Sequence, residues 1–173
     1  QITTFLNTCA TKDPTFTYRI ARSEDGDVTG FLWQTGVMRR DFQLFGDVLF
    51  IDCLGRSLND KGWPINTIAM LDGQKKVCLP CESITIQESI DAYAWLIRSS
   101  VEMTPEVELS DIKIIFGDGI LDGDTLLHKL GIADTCKIVL DQHHLLDPKI
   151  GAWPKKFGLG FWNKVEDDLT KMV

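Results

Sequence analysis

Three short apolar runs, each closely followed by an acidic residue, constrain the fold of this chain more than any other feature. The runs and their acids are residues 48–51 with Asp52, residues 112–116 with Asp118, and residues 137–140 with Asp141. Runs of this length and character predict strands buried within a sheet. Acids at the ends of such strands suggest a metal site, because open sheets place ligands at strand ends. An Asp there is also a common turn former, so both interpretations stay open.

Length and composition predict one globular domain. The chain has 173 residues, 44% of them hydrophobic, which is enough for a core. No apolar stretch approaches the roughly 20 residues that cross a bilayer, so we expect no membrane partner. The net charge of -7 opposes non-specific nucleic-acid binding, so contact with DNA would need a basic patch or another domain. A start at Gln1 without Met predicts a fragment of a longer protein.

The cysteines predict a reducing, intracellular compartment. They number five, an odd count, and several lie in or beside predicted strands. Cys78 and Cys81 have the CxxC spacing of zinc and redox motifs, but no second pair or histidine is nearby in the sequence. We interpret them as two buried thiols rather than a functional pair.

The first 46 residues predict an extension made of a helix to Cys9, a hairpin over residues 16–33 and a helix over residues 37–45 that ends at Gly46. After the strand that ends at Asp52, Asp72-Gly73 predicts the turn of a hairpin between residues 63–70 and 75–81. Thr85 to Glu88 has the form of a capping box for a helix that ends before Pro105.

The second half of the chain alternates between strands and helices. A strand over residues 112–116 precedes a helix from about Asp124 to Gly131, and a last strand covers residues 137–140. Trp162, Val165, Leu169 and Met172 predict a final amphipathic helix. The predicted fold is an α/β fold, with a mixed five-stranded sheet covered by helices on both faces and a helix and hairpin extension before it.

Several segments together resemble the ribonuclease-H-like core of DDE transposases, and more narrowly the Mutator-like (MULE) transposase domain, also found in transposase-derived far-red-response regulators of plants. The segments are Phe31-Leu-Trp33, Phe45-Gly-Asp-Val-Leu-Phe-Ile-Asp52, Gly62-Trp-Pro64, Glu88 through Trp95-Leu96, Ile114-Ile-Phe-Gly-Asp118-Gly and Leu140-Asp-Gln-His-His144-Leu. Their order and spacing span nearly the whole chain. The resemblance implies an extension over residues 1–46, a core over 47–147 and the start of a helical insertion over 148–173.

The resemblance assigns Asp52 and Asp118 as the first two acids of a catalytic triad. Such acids would bind two Mg²⁺ or Mn²⁺ ions for phosphodiester cleavage and strand transfer, since hard cations prefer carboxylate oxygen. Asp141 and His144 match the C/DxxH element of the family, which implies a structural or DNA-handling role near the site. The implied partner is DNA, bound through the parent protein, with a homodimer or protein partners as further possibilities, and the implied location is the nucleus.

The chain departs from the family pattern in two places. The Thr-Tyr that follows the first acid in the family is Leu54-Gly55 here, and the third acid, a Glu, is expected downstream of Val173. Acids of the terminal segment, Asp147, Glu166, Asp167 and Asp168, are better explained as an N-cap and a solvated helix face. We expect this fragment alone to be inactive.

Three interpretations of function stay open. One is a metal-dependent transposase or nuclease core. The second is a domesticated relative that acts in protein interaction or transcriptional regulation. The third is a small-molecule or phosphatase-like domain, but the chain has no glycine-rich phosphate loop or nucleophile elbow to support it.

Overall fold

The computed structural model describes residues 2–54, 61–117 and 123–140, which contain four α-helices and seven β-strands. The helices are α1 (Ile2–Lys12), α2 (Gly36–Phe45), α3 (Ile90–Glu102) and α4 (Gly123–Leu130). The strands are β1 (Thr17–Arg22), β2 (Val28–Gln34), β3 (Val48–Leu54), β4 (Ile65–Leu71), β5 (Val77–Thr85), β6 (Ile114–Gly117) and β7 (Lys137–Leu140). A short 3₁₀ helix, Leu109–Asp111, leads into β6.

All seven strands belong to one mixed sheet, in the order β1-β2-β5-β4-β3-β6-β7. Four neighbouring pairs are antiparallel, namely β1 with β2, β2 with β5, β5 with β4, and β4 with β3. In contrast, β6 pairs with β3 in parallel, and β7 pairs with β6 in parallel. The predicted α/β class is therefore confirmed.

The sheet has seven strands rather than the predicted five because the N-terminal hairpin is part of it. β2 pairs with β5 over four residues, from Gly30 opposite Thr85 to Trp33 opposite Glu82. A Cβ atom at Gly30 would lie 3.2 Å from the Thr85 Cγ2 atom and 3.3 Å from the Ile84 carbonyl oxygen. The glycine therefore permits the close approach of the two strands, and the hairpin lengthens the sheet beyond β5.

The two faces of the sheet differ in what covers them. One face, which we call the helix face, carries the buried side chains of β3, β4 and β6. They share one hydrophobic cluster with residues of three helices, and its members include Leu49, Ile51, Ile68, Ile115, Phe42 of α2, Leu96 of α3 and Leu126 of α4. The sequence predicts helices on both faces, but α2, α3 and α4 all pack on this one.

The opposite face, which we call the open face, carries the alternate residues of the same strands. Its members on β3 to β6 include Phe50, Asp52, Thr67, Ala69, Glu82 and Phe116. Near the hairpin, α1 lies beside β1, since the Tyr18 hydroxyl donates a hydrogen bond to the Asn7 side chain of α1 at 2.5 Å. On the helix face, Arg19 of β1 forms an ion pair with Glu102 of α3.

The start and end of α2 follow from the side chains of Thr35 and Gly46. The Thr35 hydroxyl accepts a hydrogen bond from the Met38 amide at 3.2 Å, which satisfies one of the free N–H groups of the first turn. At Gly46, a Cβ atom would lie 2.5 Å from the Phe42 carbonyl oxygen and 2.6 Å from its ring. The chain can therefore leave the helix and enter β3 only if residue 46 lacks a side chain.

The N-cap of α3 is Ser89 and not Thr85, so the predicted capping box is wrong. The Ser89 hydroxyl accepts a hydrogen bond from the Ala92 amide at 3.1 Å. Thr85 is instead the last residue of β5, and its hydroxyl donates to the Gln87 carbonyl at 2.8 Å while it accepts from the Asn66 amide group at 2.6 Å. Pairing with the neighbouring strands therefore overrides the local capping signal.

Several predicted boundaries are confirmed. Asp72 forms the turn between β4 and β5, since its carboxylate accepts from the Gln74 and Lys76 amides, each at 2.8 Å. Gly131 ends α4 in the left-handed conformation, with φ of +76°. Three strands after Asp52 start later than predicted: β4 begins at Ile65, β5 begins at Val77 and β6 begins at Ile114.

Candidate functional site

Asp52 lies inside β3 rather than at its end. The strand continues through Cys53 to Leu54, which pair with Asn66 and Ile65 of β4. Alternation along the strand directs Leu49 and Ile51 to the helix face and leaves Asp52 exposed on the open face. The sequence prediction of a strand-end acid was wrong by two residues because the apolar run stops before the ladder does.

The carboxylate of Asp52 accepts a hydrogen bond from the backbone of the next residue. The Cys53 amide donates a hydrogen bond to Asp52 Oδ1 at 2.7 Å. Thr67 of β4 is its direct partner in the ladder. This hydrogen bond orients Oδ1, and carboxylate oxygen is the ligand type that a hard divalent cation prefers.

A second acid, Glu82, lies in line with Asp52 on the open face. Asp52 is opposite Thr67, Thr67 is opposite Glu82, and Glu82 is opposite Trp33. The Trp33 Nε1–H group donates to Glu82 Oε2 at 2.8 Å, which orients this carboxylate towards β2. The sequence predictions did not include Glu82, and its place on the open face follows from strand alternation between the buried Cys81 and Ser83.

The other predicted site residues fall elsewhere in the chain. Asp118, Asp141 and His144 lie outside the described residues, as do Asp147, Glu166, Asp167 and Asp168. The structure therefore places one of the four predicted site residues, Asp52. Among residues 2–54, 61–117 and 123–140, no group of three or more His, Cys, Asp or Glu side chains is arranged to bind a metal ion. Asp52 supplies one carboxylate ligand of the right kind, and a complete metal site needs others.

Cys78 and Cys81 of β5 are free thiols in environments that disfavour a thiolate. Burial raises the pKa of Cys81 to about 12, although a hydrogen bond from Ser100 acts in the opposite direction. Burial, with the charges of Asp41 and Asp72, also raises the pKa of Cys78. Because metal binding and thiol chemistry both need the thiolate, this geometry favours the interpretation as structural thiols.

Two surface clefts lie away from Asp52. The larger has a volume of about 290 Å³ and lies between the hairpin and the start of α3, where Arg22, Thr85, Gln87, Ser89 and Trp95 are among its lining residues. The smaller, about 190 Å³, lies at the end of α2 beside Gly46 and Val107. Neither of these two clefts includes Asp52, which lies on the open face of the sheet.

Comparison with known proteins leaves the family open. No protein-family model, curated protein or solved structure matches the chain. The resemblance to MULE transposases therefore stays a prediction from the sequence. In the described part of the chain, none of the helices has the length and apolar character needed to cross a membrane.

Proposed function

We propose that this chain is the ribonuclease-H-like core of a MULE-type DNA transposase or of a protein derived from one. In this proposal, Asp52 and Asp118 are the first two acids of a site that binds Mg²⁺ or Mn²⁺ and cleaves phosphodiester bonds in DNA. The single observation that carries the proposal is the parallel pairing of β3 with β6. Asp52 lies in β3, and β6 is the strand that precedes Asp118 in the sequence.

The strand order supports this proposal. Strands β3, β4 and β5 form an antiparallel meander, and β6 and β7 follow on the other side of β3, both parallel to it. A three-stranded meander followed by two strands parallel to its first strand is the arrangement of ribonuclease-H-like sheets. The hairpin β1–β2 then corresponds to the predicted N-terminal extension.

The register supports the pairing of the two acids. Phe50 of β3 is opposite Phe116 of β6. In the sequence, Asp52 comes two residues after Phe50, and Asp118 comes two residues after Phe116. Neighbouring strands lie about 4.8 Å apart, so the same pairing continued by two residues would bring the two carboxylates within reach of a shared cation.

Divalent cations at such a site would activate a water or 3′-hydroxyl nucleophile and stabilise the leaving oxygen. Asp52 would contribute a carboxylate oxygen from a rigid strand, with Oδ1 already oriented by the Cys53 amide. Asp118 would contribute the second carboxylate. Asp141 and His144, which follow β7 in the sequence, would contact DNA or support the site.

Metal titration tests the two acids directly. We expect the native chain to bind Mn²⁺ and the variants Asp52→Asn and Asp118→Asn to bind it at least about tenfold more weakly, because each loses a charged ligand. The readout is Mn²⁺ binding followed by electron paramagnetic resonance or calorimetry. Asn at position 52 retains an oxygen that can accept from the Cys53 amide, so the fold should be kept.

Asp25→Asn is the matched control, because Asp25 is an exposed acid in the turn between β1 and β2. It makes the same change of charge far along the sheet from Asp52, and we expect unchanged Mn²⁺ binding. Equal Mn²⁺ binding by the native chain, Asp52→Asn, Asp118→Asn and Asp25→Asn would exclude the proposed metal site.

A domesticated, catalytically inactive module is the second candidate. The observations that favour it are the net charge of -7 and the Leu54-Gly55 sequence beside Asp52, where the family has Thr-Tyr. An acidic surface suits basic protein partners better than the DNA backbone. In this case, Asp52→Asn should leave the biological activity of the full protein intact, and a loss of that activity with unchanged folding would support the catalytic proposal instead.

A further inference from the structure

Four apolar residues form a continuous row across four strands of the open face. Ala69 of β4 is opposite Phe50, Phe50 is opposite Phe116, and Phe116 is opposite Val139 of β7. Residues that are directly paired point to the same face of a sheet. We call these four residues the apolar row.

The apolar row lies on the face away from α2, α3 and α4. Val139 is 39% exposed, and Phe50 and Phe116 are only half-buried although they are large aromatic side chains. A contiguous apolar surface of this kind marks a place where another segment or another molecule packs. The apolar row therefore offers an apolar surface on which a further segment can pack.

The chain itself supplies a candidate. β7 ends at Leu140, at the edge of the sheet next to Val139, and the sequence continues over residues 141–173, which lie outside the described residues. In this sequence, Trp162, Val165, Leu169 and Met172 recur at spacings of three and four residues. Such spacing predicts one apolar face of a helix, with Asp167 and Lys171 on the opposite side.

The dimensions of the two surfaces match. The eleven residues from Trp162 to Met172 would span about 15 Å as a helix, since each of the ten steps rises about 1.5 Å. The four strands of the apolar row span about 14 Å, since neighbouring strands are about 4.8 Å apart. The sequence between β7 and Trp162 is long enough for the chain to return from the end of β7 to any part of this face.

We propose that residues 161–173 cover the apolar row, with Trp162, Val165, Leu169 and Met172 directed at Phe50, Phe116 and Val139. Burial of apolar surface on both partners favours this contact. Asp52, which is exposed two residues beyond Phe50, then lies at the border of the covered surface. The proposal does not depend on any catalytic activity.

Cross-linking in the full chain tests the contact. The variant with Val139→Cys and Leu169→Cys should form an intramolecular cross-link with a short thiol reagent, identified by peptide mass mapping to separate it from products of the native cysteines. The matched control combines Val139→Cys with Asp167→Cys, which lies on the polar side of the same predicted helix. We expect the pair 139–169 to cross-link several times more efficiently than the pair 139–167.

An apolar fluorescent dye gives a second readout that needs no cross-link. Leu169→Asn should increase dye binding because it loosens the cover, while Asp167→Asn should leave it unchanged. Strong dye binding by the native chain, unchanged in Leu169→Asn, would show that the row is open and overturn the proposal. Cross-links between two chains, together with a dimeric mass in solution, would also overturn it and assign the face to a second copy.

Discussion

Phe50 and Phe116 stack on each other across the parallel pair of β3 and β6, with ring centroids 4.8 Å apart and ring planes 8° from parallel. The two residues come from strands that α3 separates in the chain, so the contact forms only when the sheet assembles. It lies beside Asp52 and links the two strands on which the proposed metal site depends.

The stacked rings should be energetically coupled. Phe50→Leu and Phe116→Leu should each lower the free energy of unfolding by about 1 kcal/mol, since both rings are only half-buried. The double variant should lose less than the sum of the two, with a coupling of about 0.5–1 kcal/mol from the stacking contact. Urea unfolding of the native chain, the two single variants and the double variant measures this coupling energy.

Phe50→Leu combined with Val77→Ala is the control for this coupling. Val77 is 69% exposed at the end of the β4–β5 hairpin, away from the rings. The two effects should add within about 0.5 kcal/mol. A coupling between the two rings no larger than this value would mean that the stacking adds nothing to the burial of each ring.

Gly46→Ala should destabilise the fold. The new Cβ atom would lie 2.5 Å from the Phe42 carbonyl oxygen and 2.6 Å from its ring, and Phe42 is buried in the core. We expect a loss of about 1–3 kcal/mol, as for other overpacked sites. Gly73→Ala is the control, because a Cβ atom there has no other atom within 4 Å. Equal stability of the two variants by chemical unfolding would contradict the close contact at Gly46.

Ser89→Ala should destabilise α3 by about 1 kcal/mol, because it removes the hydroxyl that accepts from the Ala92 amide. Gln87→Ala, at an exposed position just before the helix, should change the free energy of unfolding by less than about 0.5 kcal/mol. Thermal unfolding followed by circular dichroism measures both. If Ser89→Ala were as stable as the native chain, Ser89 would not be the N-cap.

The buried thiol of Cys81 should make stability depend on pH in the alkaline range. Its pKa is raised from 9.0 to about 12 in the folded state, so above pH 9 the unfolded chain loses this proton first. The contribution of Cys81 to stability is therefore complete below pH 9 and is lost as the pH rises, by at most about 1.4 kcal/mol per pH unit. Unfolding experiments between pH 8 and about pH 11 should show a steeper loss for the native chain than for Cys81→Ala.

Ile68→Val is the control for the effect of pH. Ile68 is opposite Cys81 in the sheet and equally buried, but it does not titrate. This variant should be less stable than the native chain by about 1 kcal/mol at every pH. Its free energy of unfolding should change with pH as steeply as that of the native chain. If the free energy of unfolding fell equally steeply with pH in Cys81→Ala and Ile68→Val, the Cys81 thiol would not contribute to the loss of stability at alkaline pH.

The sequence by itself determined most of the local structure. Apolar runs predicted β3 and β7, helical spacing predicted α3 and α4, and Asp72-Gly73 predicted the hairpin turn between β4 and β5. The sequence also predicted Asp52 as a metal-binding carboxylate. These features depend on interactions between residues close together in the chain, which leave periodic patterns and turn signals in the sequence.

Only the tertiary structure decided how those elements meet. Pairing with β5 placed the hairpin in the sheet and Thr85 in a strand, although its local sequence resembles a helix cap. Pairing with β4 extended β3 past Asp52, and alternation across the sheet put Glu82 on the same face. The physical reason is that strand register and facing depend on hydrogen bonds and burial between distant segments, which no local pattern encodes.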